Sequence, residues 1–408
     1  MPKRTIGTDV LTAARERIAW TFDTFDRISL SFSGGKDSTV MMHLVMEEAI
    51  ARSRSVSVLF IDWECQFSET IKHVRKMFEL YAENIDPYWV ALPIKTVNGC
   101  SQYEPEWTAW DPNKRNLWTR EPDPMSITDK SFFPFYYDGI TFEEFVTLFN
   151  AWFANGGLSA CFVGLRADES LNRFRAMAME KEKMHDKPYT TRVVHDAWNV
   201  YPIYDWKAED DWKYLAKFGK CYNVLYDRMY QAGMKLSQMR VDEPFGDVQR
   251  KGLWLYQIIE PQLWSKLVAR VEGVNSTALY VKKGGNMTGT GSLVLPQGHT
   301  WESFSMSILN SMPPKTALHY KNKIAVYLKF YRDRGYPDGI PDAADDKLER
   351  AGKVPAWRQI CRALLRNDYW CTGLGFSPTK SSAYGKYLDL MKRRRSKWNI
   401  FNQIEDEN

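Results

Sequence analysis

The first candidate site is a loop that joins two glycines to charged and hydroxyl side chains, Ser33-Gly34-Gly35-Lys36-Asp37-Ser38. Glycines let backbone N–H groups approach a ligand closely, and the start of a following helix adds partial positive charge. The lysine adds a full positive charge that can neutralise a leaving diphosphate. These residue types predict that all six residues of the loop bind phosphate.

The loop differs from the phosphate-binding loop of kinases and GTPases, whose pattern is G-x-x-x-x-G-K-[ST]. Leu30 stands where the first glycine of that pattern belongs, and Asp37 follows Lys36 where Ser or Thr is required. Chemistry at a γ-phosphate is therefore disfavoured. The alternative without a ligand is an ordinary turn between a strand and a helix, with Asp37 or Ser38 capping the helix.

A second group of charged residues lies in Gly164-Leu165-Arg166-Ala167-Asp168-Glu169-Ser170. The guanidinium of Arg166 offers a planar fork of donors to phosphate or sulfate, and Glu169 can orient it. Elsewhere, Asp37 or Asp62 can hold magnesium. The alternatives are an internal ion pair between Arg166 and Glu169, and carboxylates that are solvated or cap a helix.

The elements around these segments alternate between strands and helices. Strands are predicted at 27–33, 56–61, 88–92, 158–164 and near 200–203, and helices after the loop, at 68–81, 142–153, from about 168, and at 209–218. Repeated β–α units of this length predict an α/β fold with a Rossmann-like, doubly wound and mostly parallel sheet. In such a sheet the ligand crevice lies at the carboxyl ends of the strands, where both charged segments fall.

The same patterns divide the chain into three regions. Residues 1–226 are predicted to form a nucleotide-binding domain, with an insertion at 97–138 that is rich in Trp, Pro and charge. Residues 227–299 are predicted as a connecting or substrate region with loops. Residues 300–408 are predicted as a mainly helical C-terminal domain, with helical patterns at 300–334 and 356–366.

Several motifs occur in a fixed order along the first region. They are the 33–38 loop, Asp62 with Phe67-Ser68-Glu69-Thr70, the 164–170 segment followed by Arg173, Pro202-Ile203-Tyr204-Asp205-Trp206, and Asn223-Val224-Leu225-Tyr226. This order resembles the PP-loop, or adenine-nucleotide alpha-hydrolase, superfamily of HUP-type fold, which includes phosphoadenosine phosphosulfate reductases and thiolation enzymes. The resemblance implies an adenine nucleotide bound by the six loop residues, Asp62, Gly164, Arg166 and Arg173. It implies catalysis by Lys36, Asp37, Arg166 and Glu169.

The cysteines decide which reaction of that superfamily is expected. Its reductases attack the sulfonucleotide with a cysteine in a C-terminal Glu-Cys-Gly-Leu-His-like segment, which this chain lacks. Cys65 lies just after the second strand, and Cys361 and Cys371 are the remaining C-terminal candidates. The sequence therefore favours cleavage of ATP, with magnesium, between the α- and β-phosphates. The alternatives are a reductase of phosphoadenosine phosphosulfate that uses Cys371, and a regulatory nucleotide-binding module without turnover.

Further segments carry a closer resemblance over nearly the whole chain. They are 104–107, 118–120, Met239-Arg240 with Pro244-Phe245-Gly246-Asp247, 295–301, 319–323 and 365–370. They resemble phosphoadenosine phosphosulfate reductase-like proteins with a family-specific C-terminal domain, including the immunoglobulin-binding regulator A proteins. Members are often encoded beside a ParB-like protein, which implies a ParB-like partner and a role in regulation or phage–host conflict. Arg240 and Asp247 can clamp a substrate or stabilise a turn.

Composition favours a folded cytoplasmic protein. No stretch approaches the ~20 apolar residues of a membrane span, and the N-terminus lacks the apolar core of a signal peptide. The six cysteines and six histidines are scattered, without the spacing of disulfides, a zinc site or an iron–sulfur cluster.

Charge says little about partners, because a formal charge of +5 is small for 408 residues. One basic run at 392–398, Lys392-Arg393-Arg394-Arg395-Ser396-Lys397-Trp398, predicts weak contact with nucleic acid. The alternative for this run is a solvated helix. We expect the chain to form a homo-oligomer.

Overall fold

The computed structural model describes residues 7–169, 182–246, 249–281 and 293–376. The chain divides into two compact units, each with a hydrophobic core of its own. The first unit draws its described residues from Met1–Thr96, Thr108–Ile140 and Phe145–Val271. The second draws them from Val97–Trp107, Thr141–Glu144 and Glu272–Asn408.

A six-stranded sheet forms the centre of the first unit. The strands of the described residues are β1 (Arg27–Ser31), β2 (Val56–Ile61), β3 (Ile85–Val90), β4 (Ile94–Val97), β5 (Glu106–Ala109), β6 (Ser159–Val163), β7 (Thr190–Val194) and β8 (Ala197–Val200). The large sheet has the order β3-β2-β1-β6-β8-β7, and only the β7–β8 pair is antiparallel. The predicted Rossmann-like, mostly parallel sheet is confirmed.

The strand order reverses at β1, which has β2 on one side and β6 on the other. Ser31 at the end of β1 lies opposite Leu59 of β2 and Val163 of β6. Because these strands are parallel, their carboxyl ends meet at one edge, and a crevice opens where the order reverses. The 33–38 loop follows β1 and the 164–170 segment follows β6, so both begin at this crevice.

Helices flank the sheet along the chain. They are α1 (Val10–Thr24), α2 (Lys36–Ala51), α3 (Ser68–Leu80), α4 (Phe142–Ala154), α5 (Ala208–Lys217), α6 (Leu225–Gln231), α7 (Trp254–Ile259) and α8 (Pro261–Arg270). Helix α2 is deeply buried, because its residues Val40, Met41, Val45 and Met46 are all inaccessible to solvent. A helix that is apolar on most of its faces belongs in the interior, where it holds the 33–38 loop on a rigid base.

Two features near the far edge of the sheet differ from the sequence-based expectation. The strand predicted near 200–203 ends at Val200, because Pro202 cannot donate to a strand ladder and Tyr204 N–H turns back to Tyr201 O. The antiparallel strand β7, which precedes it, was not predicted. The helix predicted from about residue 168 lies largely outside the described residues.

The Pro202–Trp206 motif anchors helix α1, another element that the sequence patterns did not predict. Arg17 of α1 donates to both carboxylate oxygens of Asp205 at 2.8 and 2.7 Å, and to Pro202 O at 2.7 Å. The indole of Trp206 donates to Val10 O at 3.0 Å. The motif therefore has a structural role in the first unit.

The insertion predicted at 97–138 is more regular than its composition indicated. It contains β5, which pairs with β4 in a small two-stranded sheet, and a 3-10 helix at Pro112–Leu117. Trp110, which directly follows β5, is buried. Buried aromatic residues explain the unusual composition, because large aromatic side chains let the insertion bury apolar surface although it has no long apolar helix.

The C-terminal part of the second unit is mainly helical in its described residues, as predicted for the region after residue 300. Its helices are α9 (Val274–Val281), α10 (Trp301–Ser311), α11 (Pro314–Arg332), α12 (Asp346–Arg350) and α13 (Trp357–Leu365). The helical pattern at 300–334 is interrupted at Pro313 and Pro314, because proline lacks the N–H that would continue the first helix. No helix of the described residues is both long and apolar enough to cross a membrane.

The first unit extends to Val271, beyond the domain boundary that the sequence predicted at residue 226. The reason is visible at α7, where Tyr256 stacks on Phe67 with ring centroids 3.8 Å apart and donates its hydroxyl to Cys65 O at 3.0 Å. The division of the chain at residues 226 and 299 stays a prediction.

Candidate functional site

The 33–38 loop leads from β1 into the N-terminus of α2. Gly35 is the N-terminal cap, and no side chain makes a capping hydrogen bond there. The reading in which Asp37 or Ser38 caps the helix is therefore wrong, since Ser38 Oγ instead donates to Gly35 O at 3.0 Å. A helix start of this kind offers partial positive charge to an anion.

A positive φ and a close neighbour explain the first glycine of the loop. Gly34 has a φ of +74°, and a Cβ atom there would lie 3.0 Å from Thr70 Cγ2. A Cβ atom on Gly35 would lie 3.4 Å from the Tyr226 hydroxyl and 3.4 Å from Val241 O. The backbone of the loop therefore packs against its surroundings without room for a side chain at Gly34.

Two buried residues of the 223–226 motif hold this backbone in place. Asn223 Nδ2 donates to Gly34 O and to Thr70 Oγ1, both at 3.0 Å. The hydroxyl of Tyr226 accepts the N–H of Lys36 at 2.9 Å. The sequence showed this motif only as part of a resemblance, and the structure shows that it fixes the loop.

The 164–170 segment approaches the same helix start from β6. A Cβ atom on Gly164 would lie 3.0 Å from Ser38 N and 3.1 Å from the carbonyl carbon of Asp37. Only glycine therefore lets the end of β6 come this close to the first turn of α2. The close approach places Arg166 beside the loop.

Four charged residues predicted as catalytic meet at this point. Lys36 Nζ lies 2.9 Å from Asp37 Oδ2, Arg166 Nε forms an ion pair with Asp37 Oδ1, and Arg166 Nη2 lies 4.0 Å from Glu169 Oε1. Burial opposes ionisation of Asp37, but the charges of Lys36 and Arg166 overcome it and hold the pKa of this carboxyl below its usual range. Asp37 is therefore an ionised carboxylate between two cations.

A fifth group, Asp211 of α5, was missed by sequence reasoning. Its side chain is fully buried, with Oδ2 3.2 Å from Arg166 Nε. Burial and the negative charge of Asp37 raise the pKa of Asp211 well above its usual value. The signal in the sequence was an acidic residue on the helix face that carries Tyr214 and Leu215, both buried.

Asp62 lies at the end of β2, where its carboxylate is held by other partners. Oδ2 accepts the indole N–H of Trp89 at 2.9 Å, and Oδ1 accepts the Glu64 N–H at 2.9 Å and pairs with Arg120 of the insertion. Trp110 donates to the Asp62 carbonyl at 2.7 Å. These contacts attach the insertion to the crevice edge.

The described residues do not fit a resident magnesium ion. Among these residues, no three His, Cys, Asp or Glu side chains are placed so that they could hold one metal ion together. The oxygens of Asp37 face Lys36 and Arg166, and those of Asp62 face Trp89, Glu64 N–H and Arg120.

The six thiols are poorly placed for attack on a sulfonucleotide. All lie within the described residues, and all except the half-buried Cys221 are buried. Burial raises the pKa of Cys161 to about 11, and that of Cys65 well above its usual value. Cys371 lies in the hydrophobic core of the second unit. A buried thiol that stays protonated is a weak nucleophile.

Three predicted contacts lie outside the described residues. They are Arg173 at the nucleotide, Asp247 as the partner of Arg240, and the basic run at 392–398.

Two family models match consecutive parts of the chain. Residues 27–232 match the phosphoadenosine phosphosulfate reductase domain. Residues 233–352 and 336–384 match a domain of unknown function, DUF3440.

Similar proteins range from a relative that aligns over 96% of this chain to distantly similar structures. The chain is 47% identical over 396 residues to the Escherichia coli (strain K12) protein YbdN, covering 96% of each. It is 23% identical over 239 residues to adenosine 5'-phosphosulfate reductase of Halalkalibacterium halodurans, covering 58% of this chain and 84% of that protein. A Candida auris phosphoadenylyl-sulfate reductase structure in a phosphate complex aligns with a TM-score of 0.31 and 16% identity, covering 53% of this chain and 84% of that one.

Proposed function

The chain belongs to the phosphoadenosine phosphosulfate reductase domain family, and from this premise we propose that it is an enzyme that acts on an adenine nucleotide. The proposed reaction is cleavage of ATP between the α- and β-phosphates. Diphosphate leaves, and the adenylyl group passes to water, giving AMP, or to the nucleophilic oxygen of an acceptor.

One observation carries the proposal, namely the meeting of Lys36, Asp37 and Arg166 at the start of α2. A triphosphate bound there would find two fixed cations and the positive end of a helix. Both cations are nearly buried, with 4% of each side chain exposed, so the surrounding water screens their charge little.

Each residue has a distinct proposed role. The N–H groups of Gly34 and Gly35 and the hydroxyls of Ser33 and Ser38 bind phosphate oxygens, and Gly164 permits the close approach of Arg166. Lys36 neutralises the charge that grows on the leaving diphosphate.

Three further roles concern orientation and the nucleotide. Arg166 binds the α-phosphate through its planar fork, while Asp37 and Glu169 orient that fork. Asp62 is proposed to lie near the bound nucleoside, and Arg173 remains a predicted phosphate contact. Magnesium is proposed to arrive with the nucleotide phosphates.

Sulfonucleotide reduction is the less favoured chemistry because of the thiols. That reaction needs a thiolate that reaches the sulfur, and five of the six cysteines are buried. The sixth, Cys221, contacts His43 and Met77, with Sγ 3.5 Å from the sulfur of Met77. Cys371 is completely buried, which disfavours the reading that uses it as the nucleophile.

A turnover assay tests the proposal. Purified protein with ATP and magnesium should form AMP and diphosphate. Lys36→Ala should lower the rate by roughly 100-fold or more because it removes a positive charge from the leaving diphosphate, and Asp37→Asn should do the same because it removes the carboxylate that orients Arg166. The matched control is Lys72→Ala, which removes an exposed lysine of α3. Formation of AMP and diphosphate is measured by chromatography.

Other outcomes favour other functions. Stoichiometric nucleotide retention without product, measured by mass spectrometry of the purified protein, would contradict the enzyme and favour a regulatory module. Sulfite release from phosphoadenosine phosphosulfate with a thiol donor would favour a reductase. A ParB-like partner, contact of 392–398 with nucleic acid, a cytoplasmic location and a homo-oligomer remain proposals from sequence.

A further inference from the structure

A cavity of about 410 Å³ adjoins the 33–38 loop within the first unit. Thr70 lines it and also lies against Gly34, and Val241 lines it and also lies against Gly35. Small-molecule sites commonly measure about 300–1,000 Å³, so the cavity has the size of a binding site. Its position beside both glycines puts a ligand within reach of phosphates held by the loop.

Several aromatic and methionine side chains line the cavity. Phe67 and Tyr256 line it as a stacked pair with an interplanar angle of 8°, and Trp254, Met229 and Met234 line it as well. The hydroxyl of Tyr256 is bound to Cys65 O, which fixes the orientation of this ring. Rigid aromatic faces and methionine sulfurs favour a planar ring system as the ligand.

The charged residues that line the cavity are two cations, Arg240 and Lys251, and one acid, Asp242. Arg240 lines the cavity, is partly buried, and donates from Nη2 to Glu169 O at 3.2 Å. Its guanidinium therefore lies between the cavity and the segment that carries Arg166. This arrangement suits an anionic oxygen group that points toward the 33–38 loop.

We propose that the cavity holds the adenylyl acceptor, and that this acceptor is a small planar aromatic molecule with a carboxylate or phosphate group. The inference rests on the proposed function and supplies its substrate class. An acceptor oxygen attacks the α-phosphorus of ATP and forms one P–O bond, while the bond to the bridging oxygen of the β-phosphate breaks. Diphosphate leaves with that electron pair, and no oxidant or reductant is needed.

Both family regions of the chain contribute residues to the lining of the cavity. Gln66, Phe67, Thr70, Leu225 and Met229 belong to the part of the chain that matches the reductase domain. The remaining lining residues, Gly233 to Tyr256, belong to the part that matches DUF3440. The start of the second family region therefore completes the acceptor site beside the loop of the first.

Calorimetric titration of the full chain tests the proposal with three probes. They are 2-naphthoate, 2-naphthyl phosphate and the neutral 2-naphthol, each titrated with and without α,β-methylene-ATP. At least one anion should bind more tightly than 2-naphthol, and the preferred anion identifies the acceptor group as carboxylate or phosphate. Arg240→Gln should weaken that anion about tenfold, because it removes a charge-assisted hydrogen bond, and leave 2-naphthol within about twofold.

Two further variants test whether the probes bind in the cavity and whether the loss of any positive charge would weaken them. Met234→Trp, which fills the cavity, should weaken all three probes, whereas Arg228→Gln removes an exposed arginine of α6 and should change none. The proposal is overturned if no probe binds, if the anions bind no better than 2-naphthol, or if Arg240→Gln weakens all probes equally. Binding of α,β-methylene-ATP in the same samples separates this failure from a failure of the nucleotide site.

Discussion

At the scale of single residues, the site depends on one carboxylate that is shared by several partners. Asp37 contacts Lys36 and Arg166 directly, and the buried Asp211 lies against the same guanidinium. The pKa values of the two acids shift in opposite directions, since that of Asp37 is lowered and that of Asp211 is raised. The negative charge of the pair is therefore favoured on Asp37, and a proton shared between them is favoured on Asp211.

The raised pKa of Asp211 predicts a pH-dependent effect of Asp211→Asn on stability. In the unfolded chain this carboxyl ionises near pH 3.8, whereas in the folded chain its raised pKa keeps the proton bound to a higher pH. Wild-type stability therefore falls relative to the variant as pH rises, by up to about 1.4 kcal/mol per pH unit. Urea unfolding of both proteins between pH 4 and 8 measures the difference.

The matched control for this prediction is Glu209→Gln. Glu209 is an exposed acid in the first turn of the same helix, so its substitution should give a difference that hardly varies with pH. A difference for Asp211→Asn that is equally flat from pH 4 to 8 would show that Asp211 is ionised in the folded protein.

At the scale of elements, local patterns predicted the strands and helices that carry the site, because apolar periodicity is a property of short segments. They did not predict β7, and they did not assign partners to Asp62 or Asp211. Those contacts join positions far apart in the chain, such as Asp62 with Arg120 and Arg166 with Asp211. Partners of this kind depend on how the strands and helices are arranged in space, and the spacing of residues along the chain does not reveal that arrangement.

The packing of the 33–38 loop can be tested by substituting Gly34 and comparing the effect with the same substitution at Gly139. Both have positive φ, +74° and +84°, but only a Cβ at Gly34 would meet a close neighbour. Substitution of either glycine by alanine should cost about 1–2 kcal/mol for the backbone conformation. Gly34→Ala should cost more and should also abolish nucleotide binding.

Thermal unfolding and ATP calorimetry on the two alanine variants measure these effects. Equal losses of stability, with nucleotide affinity kept in Gly34→Ala, would mean that the loop can move away from Thr70 and that its packing does not shape the site.

At the scale of the whole molecule, the first unit is closed by contacts between distant parts of the chain. Arg270 of α8 donates to Glu64, just after β2, from Nε at 2.7 Å and Nη2 at 2.9 Å. The two residues are 206 positions apart, and both side chains are almost inaccessible to solvent. The start of the DUF3440 region is therefore built into the unit that carries the 33–38 loop.

Removal of this ion pair tests how strongly α8 stabilises the unit. Arg270→Leu should lower the free energy of unfolding by about 3–5 kcal/mol, because it leaves Glu64 buried without its main partner. The double variant Glu64→Leu with Arg270→Leu should recover part of the loss. Arg228→Leu, an exposed substitution, should stay within about 0.5 kcal/mol of wild type.

Chemical denaturation of the four proteins provides the measurement. If Arg270→Leu behaved like Arg228→Leu, residues 254–270 would contribute little to the stability of the first unit, and its extension to Val271 would have no energetic basis.

The hydrogen bonds at the end of β2 link the fluorescence of two tryptophans to the position of Asp62. The indole of Trp89 is bound to the Asp62 carboxylate at 2.9 Å, and that of Trp110 to the Asp62 carbonyl at 2.7 Å, with Arg120 over the Trp110 ring. Indole emission responds to charges a few ångströms away. Any rearrangement of Asp62 therefore changes the fluorescence of two tryptophans without a label.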